Sequence, residues 1–569
     1  MKQFERKHDH DGSPYLQTDL PGLMVTRLPL LNKGTAFTAQ EREEFNLTGI
    51  LPPHVATLDE QLERTYENFR RAHTDLGKHM YLRSLQDRNE VLFYALLEKH
   101  LEEMTPLIYT PTVAQAVQQF SRLYRYPRGL VVSTENIDHI DRLLEQLPVP
   151  DVKLIVATDS EGILGIGDQG YGGMAICIGK LSLYTAGAGI DPATTLPVEL
   201  DVGTNRQDLL DDPLYLGVRH NRLTGSEYEE FIRKFVSAVK RHFPGVVLQW
   251  EDFSKQKAFD VMETYRDELA SFNDDIQGTG AVVLAGLLAA GRRTKRSLAE
   301  QVVVVHGAGA GGVGVAKQIA AGMQAQGLSS KEAWERIFVI DSRGLITADR
   351  EGLDAYKKQV AADPAVTAGW TVRGDVPTML ETIRGARATA LVGLSGQRGA
   401  FNEEAVRATL ENTDAPIVFP LSNPTDNSEA VPEDIYRWTD GKATVATGSP
   451  FPEVDYGNMR HEIGQGNNAF IFPGVGLAAV LGGVSKVSDG MLTAAAAALA
   501  GYVDPSRLAQ GTVYPPIAKL RAASRHVAVQ TLEAARDEGL TTVDLPQGSL
   551  KEYVTERMWQ PRYVPIRKG

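Results

Sequence analysis

Residues 302–321 read VVVVHGAGAGGVGVAKQIAA. Four consecutive valines predict a short strand buried on both faces. The segment Gly307-Ala-Gly309-Ala-Gly-Gly312 follows at once, and Val315-Ala-Lys-Gln-Ile-Ala-Ala then continues as a helix. A strand directly before a glycine turn and a helix directly after it aim the free N–H groups of the helix start at a pyrophosphate. Gly307, Gly309 and Gly312 are therefore candidate dinucleotide-binding positions. The next apolar run, 336–340, ends in Asp341, where a carboxylate would accept hydrogen bonds from the ribose of NAD. The separation exceeds the usual ~20 residues, and a helical stretch at 328–334 accounts for the excess. NAD is the expected cofactor. Arg343 keeps NADP as an alternative, because an arginine can pair with a 2′-phosphate. A second GxGxxG match, Gly165-Ile-Gly167-Asp-Gln-Gly170, runs into YGGMAICIGK, which is too glycine-rich to start a helix cleanly and reads as a tight turn.

Working outward, short apolar runs at 337–340, 390–392, 417–419 and 444–446 repeat the strand–turn–helix texture. That alternation implies a parallel sheet covered on both faces. Residues 54–104 read as helices instead: Leu58, Leu62, Tyr66 and Phe69 share one helical face, and Leu92, Leu96, Leu97 and Leu101 share another. From about 152, β-rich runs at 154–157 and 246–250 alternate with helical stretches. After 487 the chain returns to helix, with Ser488–Asp489 as an N-cap signal. The expected fold class is α/β, a Rossmann-like dinucleotide domain with a larger mixed α/β substrate domain and a helical N-terminal region. The expected boundaries are 1–273, 274–456 and 457–569, the last segment returning to the substrate domain and ending as a helical tail.

A chain of 569 residues can build two or more cores. Its formal net charge of −13 argues against a nucleic-acid partner. The single cysteine, Cys177, excludes an internal disulfide and any cysteine-based metal centre. Its apolar neighbours make it a buried structural thiol. The N-terminal MKQFERKHDHDG lacks the apolar core of a signal peptide. The small-apolar runs at 281–290 and 491–500 are shorter than the ~18 residues of a membrane span. A cytoplasmic enzyme without membrane contact is expected.

Two acidic segments invite a metal. Gln249-Trp-Glu251-Asp252-Phe ends an apolar strand, and Phe272-Asn-Asp274-Asp275-Ile-Gln-Gly-Thr precedes an apolar helix. Hard cations such as Mg²⁺ or Mn²⁺ take carboxylate oxygens and leave positions for substrate and water. Either segment alone also reads as ordinary helix capping. Lys180 lies in an apolar background that could lower its pKa, Tyr109 stands before a proline turn, and Asn423, Asn467 and Asn468 lie in loops.

Taken together, the ordered motifs YTPTV, ILGIGDQG, GKLSLYTAGAGI, LDVGTN, WEDF, FNDDIQGT, PLSNPT, ATGSPF and GQGNNAFIFPG resemble the malic enzyme family, from about Leu31 to Gly474. The resemblance implies NAD-dependent oxidative decarboxylation of malate to pyruvate by a homodimer or homotetramer. It places the metal ligands on Glu251, Asp252 and Asp275, the general base on Lys180 held by Asp274, and the general acid on Tyr109. Asn423, Asn467 and Asn468 fall at substrate-binding positions, Asn423 near the nicotinamide as well. One departure stands out. Gly162 follows Asp159-Ser-Glu161 where most such enzymes carry an arginine for a malate carboxylate, and SEGILGIGD is similar to the malolactic relatives that release lactate. Arg219 or Arg222 could supply the charge instead.

Overall fold

The computed structural model describes residues 3–148, 151–163 and 165–569. They divide into two compact units, one running to Val246 and taking up Arg557–Gly569, the other spanning Val247–Glu556. Among the described residues no helix is long and apolar enough to cross a membrane.

In the first unit, helices Leu58–Phe69, Asp75–Gln86 and Glu90–Lys99 begin where a short polar side chain takes a free N–H. Thr57 accepts from Glu60 within a capping box, Thr74 from Gly77 and Asn89 from Leu92. Each such cap contributes about 1 kcal/mol. Of the predicted faces, Leu62, Phe69, Leu92, Leu96 and Leu97 are buried, Leu58 and Tyr66 are half-buried, and buried Leu101 opens the next helix, Leu101–Ile108. Strands Leu130–Ser133, Thr195–Asp201 and Leu154–Thr158 pair in that order, all parallel. Helix Met174–Ala188 is buried along its whole length, as expected of a helix apolar on all sides, and Cys177 within it is buried and free. The Gly165–Gly170 stretch is a turn, with positive φ at Gly165, Gly167 and Gly170, and the helix starts only at Met174. Strand Ile566–Lys568 lies parallel to Pro14–Thr18, which pairs with Glu5–His8. Three and four residues are too few to show a period, so the sequence did not announce this sheet.

The second unit is built on a sheet ordered Gly344–Leu345, Ile337–Asp341, Val303–His306, Ala390–Gly393, Ile417–Pro420, Thr444–Thr447 and Gly464–Gln465. All neighbours are parallel except the first pair. The chain leaves Val303–His306 to one side for Ile337 and returns to the other side for Ala390. The strand order therefore reverses at the glycine turn, which is where ligands of open α/β sheets bind. Strands Val247–Trp250 and Ser271–Asn273 pair in parallel and are joined through helix Lys255–Tyr265. Helix Asp489–Tyr502, capped by Ser488 onto Met491 N, packs on Thr279–Thr294 and Leu520–Asp537, and the latter packs on Phe472–Gly482. The segment expected to return to the substrate domain, 457–569, is thus divided. Its helices stay in the second unit because their alanine-rich faces fit the small residues of Thr279–Thr294, and only 557–569 joins the first.

His79 connects the N-terminal helices to the end of Leu101–Ile108. It is 2% exposed, and its Nδ1 lies 2.7 Å from Leu107 O. Burial, with Arg83 nearby, pushes the imidazole down to about 4 from its ordinary 6.5. The neutral ring therefore contributes stability that is full above pH 6.5 and is lost as pH falls toward 4, about 3 kcal/mol in all. Unfolding free energies measured between pH 4 and 7 should show this slope in the wild type and lose it in His79→Leu.

Candidate active site

The three glycines of the turn have different physical jobs. Gly307 follows strand Val303–His306 with φ +120°, and a Cβ there would lie 2.4 Å from Leu394 O. Helix Ala310–Ala325 starts after Gly309. At Gly312 a Cβ would sit 1.7 Å from Gly307 O, so the helix can approach the strand only without a side chain. At Gly309 a Cβ would meet nothing within 4 Å. That face is open to a ligand.

Asp341 ends strand Ile337–Asp341 as expected, but its charge is already partnered. Arg350 donates to both carboxylate oxygens at 3.0–3.2 Å, Lys357 Nζ stands 3.5 Å away, and Arg343 N donates to Oδ1 at 2.9 Å. The lone ribose carboxylate of the sequence reading is thus the anion of an ionic cluster. Arg350 is nine residues downstream in an unpatterned loop, so sequence periodicity had no means of finding it.

On the far side of the sheet, buried Glu429 ties two loops together. It accepts from Ser395 N at 2.8 Å and Ser395 Oγ at 2.9 Å after strand Ala390–Gly393, and from Ser422 Oγ at 2.6 Å after strand Ile417–Pro420. Asn423 follows, exposed, with Oδ1 accepting from Ser449 Oγ at 2.5 Å. The two later asparagines differ in use. Asn467 Oδ1 caps Ala469 N at 2.9 Å, whereas Asn468 Nδ2 donates to Asp274 Oδ2 at 3.0 Å and Thr279 Oγ1 at 3.0 Å.

The acidic segments converge. Trp250 pairs with Asn273 across the parallel strands, so Glu251, Asp252 and Asp275 all leave the same strand ends. One oxygen from each lies within 4.8 Å of the others. Asp252 adopts φ +54° and its N–H donates to Asp275 Oδ2 at 2.7 Å. Gln249 Nε2 donates to Glu251 Oε2 at 2.6 Å. Glu251 is 0% and Asp252 2% exposed. Three crowded carboxylates, Glu251 and Asp252 buried and Asp275 half-buried, repel unless protons or a cation offset them, and an all-oxygen donor set suits Mg²⁺ or Mn²⁺. The residues fit such an ion.

In the first unit, Lys180 and Tyr109 meet. Lys180 Nζ lies 5.1 Å from the Tyr109 ring centroid, and the two residues are 1% and 6% exposed. The contact depends on Gly179, where a Cβ would be 2.7 Å from Ile108 O. Helix Met174–Ala188 can thereby press against the end of Leu101–Ile108. Arg222 is committed elsewhere, donating to Asp168 Oδ1 at 2.6 Å and Asp159 O at 2.8 Å. Arg219 donates to the carbonyls of Leu210, Asp212 and Tyr215. Both candidates for the charge missing at Gly162 hold the protein's own groups.

The family model "Malic enzyme, N-terminal domain" matches residues 86–266, and "Malic enzyme, NAD binding domain" matches 276–536. The chain belongs to the malic enzyme family. It is 49% identical over 548 residues to an NAD-dependent malic enzyme of Pseudomonas aeruginosa, covering 96% of this chain and 97% of that one. It is 48% identical over 555 residues to that of Photorhabdus laumondii, covering 98% of each. The malic enzymes of Entamoeba histolytica and Pyrococcus horikoshii share the fold. Both have a TM-score of 0.55, at 21% and 22% identity, over 90% and 80% of this chain and 90% and 89% of theirs.

In this malic enzyme the dinucleotide helix also supports the acidic turn: a Cβ on Gly314 would lie 2.2 Å from Ile276 O. Gly314→Ala should therefore lower Tm and weaken Mn²⁺ and NAD binding together, the overpacking costing about 1–3 kcal/mol. Gly309→Ala should leave Tm and Mn²⁺ binding unchanged and weaken NAD alone. Titrations of each variant with each ligand check the contrast.

Proposed function

We propose that this chain oxidises (S)-malate with NAD and releases pyruvate and CO₂, with Glu251, Asp252 and Asp275 as ligands of Mg²⁺ or Mn²⁺. The observation that supports it most directly is the convergence of these three carboxylates on adjoining strand ends. When bound, the cation supplies Lewis acidity to the malate C2 oxygen, and NAD, on the Gly307–Gly312 turn, supplies the hydride acceptor. Lys180 takes the C2 hydroxyl proton at Nζ as the general base. Asp274, oriented by Asn468, favours the charged lysine that results. Once C4 has left as CO₂, the Tyr109 hydroxyl delivers a proton to C3. Asn423 and Asn468 hold the substrate, and the Asn467 cap fixes the loop from which Asn468 projects. Asp341 holds the ribose of NAD, which is used in preference to NADP. The enzyme works in the cytoplasm as a homodimer or homotetramer, its domains divided functionally at about 273 and 456.

Chelation by EDTA should abolish turnover and Mn²⁺ should restore it, while Asp275→Ala folds but stays inactive; near wild-type turnover of Asp275→Ala at subsaturating metal would overturn the ligand set. Lys180→Ala should oxidise malate about 10²–10⁴-fold more slowly. Absorbance at 340 nm and product analysis should give NADH and pyruvate in equal amounts. Stoichiometric lactate without NADH would instead identify the malolactic reaction that Gly162 and the SEGILGIGD motif favour. The ratio of kcat/KM for NAD over NADP should exceed one, and a ratio below one would remove Asp341 from its role.

A further inference from the structure

Gly511, buried and with φ +96°, turns the chain after the short helix Pro505–Ala509. A Cβ there would have three nearest neighbours beyond the adjoining residues, and all three are polar. His461 Nδ1 would lie at 3.8 Å, the Tyr436 hydroxyl oxygen at 3.8 Å and Arg293 Nε at 3.9 Å. They come from strand Met459–His461, helix Pro432–Trp438 and the last turn of helix Thr279–Thr294. The second unit thus gathers three polar groups round one small space, none of them a residue of the site described above.

Two of the three are deeply buried. Tyr436 is 0% and His461 1% exposed, and their rings stack with centroids 4.0 Å apart. Neither the Tyr436 hydroxyl nor His461 Nδ1 has a hydrogen-bond partner among the described residues. A buried hydroxyl or ring nitrogen left unmet is costly. Burial pushes the phenol up and the imidazole down, so at neutral pH Tyr436 keeps its proton and His461 is neutral. With the imidazole proton on Nδ1, both side chains offer a donor to the space.

Arg293 adds a charge. Its Nη1 donates to a neutral partner, Thr444 Oγ1, at 2.7 Å. Burial lowers its pKa, and the acidic group that opposes that shift is the Tyr436 phenol rather than a carboxylate. The acid next in sequence to His461, Glu462, is engaged by Arg507, whose Nη2 lies 2.7 Å away. A half-buried guanidinium, which keeps its proton, therefore stands beside two neutral donors. That composition selects the occupant. A water molecule accepts two hydrogen bonds and donates two, and three donors give it no acceptor to meet. A halide accepts from every direction and supplies the negative charge that a cation drawn out of water requires. Neighbours less than 4 Å away on three sides limit the occupant to a single small ion.

We propose that this space is a structural site for a monatomic anion of chloride size, held by Arg293 Nε, the Tyr436 hydroxyl and His461 Nδ1. The ion joins the turn at Gly511 to the strand from which the chain runs on to Gln465 and Asn468, and so orders both segments. The site does not depend on which reaction the enzyme performs. Crystals of the full chain grown in bromide should show one anomalous bromine peak in contact with the three named atoms, and Arg293→Met should lose it. In solution, replacing gluconate by chloride at constant ionic strength should raise Tm by about 2 °C or more and slow hydrogen exchange at 459–466 and 510–514. Both responses should vanish in Arg293→Met. Tyr436→Phe, which keeps the stacked ring and removes only the donor, should need severalfold more chloride for the same shift. A water molecule at that point in wild-type bromide crystals, with no anomalous peak, overturns the proposal whether or not a variant folds. So do chloride responses of equal size in the wild type and both variants.

Discussion

The second unit depends on one backbone contact. Helix Ala310–Ala325 touches the carbonyl of Ile276 at Gly314, where a Cβ would be 2.2 Å from that oxygen, and Gly280 in turn approaches Gly314, where its own Cβ would be 2.9 Å from Gly314 O. Backbone meets backbone because both helices present glycine at the crossing. The consequence is positional. The turn Asp274–Gly278 carries the acidic pair, and the helix start carries the dinucleotide turn, so the two are fixed to each other without an intervening side chain. A side chain at this crossing would displace both.

The acidic turn is braced a second time from within. Asn273 Oδ1 accepts from Ile276 N at 3.0 Å, and Gln277 Oε1 accepts from Asn273 N at 2.9 Å. Gly278 leaves room for the Asp274 carboxylate, whose Oδ1 would be 1.9 Å from a Cβ there. Asn468 then fixes Asp274 from a loop almost two hundred residues later. Carboxylates gathered in a buried place cannot relieve their repulsion by moving when the backbone beneath them is held on both sides. Such a turn is preorganised for a cation, because its reorganisation was completed on folding.

These arrangements explain what the sequence discloses. Local signals were legible: the valine run with its glycines, the Ser488 cap, and the carboxylates beside two apolar segments. Each is set by chemistry within a few neighbours. The convergence of Glu251 and Asp252 with Asp275 depends on the register of two strands, which the residues alone do not encode visibly; the family resemblance supplied it. Arg350 on Asp341 and Glu429 on Ser395 and Ser422 were missed because their partners are set by loop paths, where no period operates. Adjacent Asn467 and Asn468 look alike in the sequence but aim differently: Asn467 Oδ1 caps Ala469 N, whereas Asn468 Nδ2 reaches Asp274.

Asp341 changes the argument about cofactor choice. A lone carboxylate at a strand end would discriminate against a 2′-phosphate by repulsion between like charges. Here Arg350 and Lys357 both lie within 3.5 Å of it, and Lys357 is shared with Asp354, so the cluster's charges balance. Repulsion of a phosphate is largely offset. What the cluster retains is geometry: two guanidinium bonds and the Arg343 N–H fix the carboxylate plane, and a fixed acceptor is suited to a ribose hydroxyl, which donates. A 2′-phosphate cannot donate in that way and leaves the acceptor unmet. With Asp341 in the proposed ribose-binding role, preference for NAD would come from a hydrogen bond that only the hydroxyl can make, a smaller and less salt-sensitive discrimination than charge repulsion.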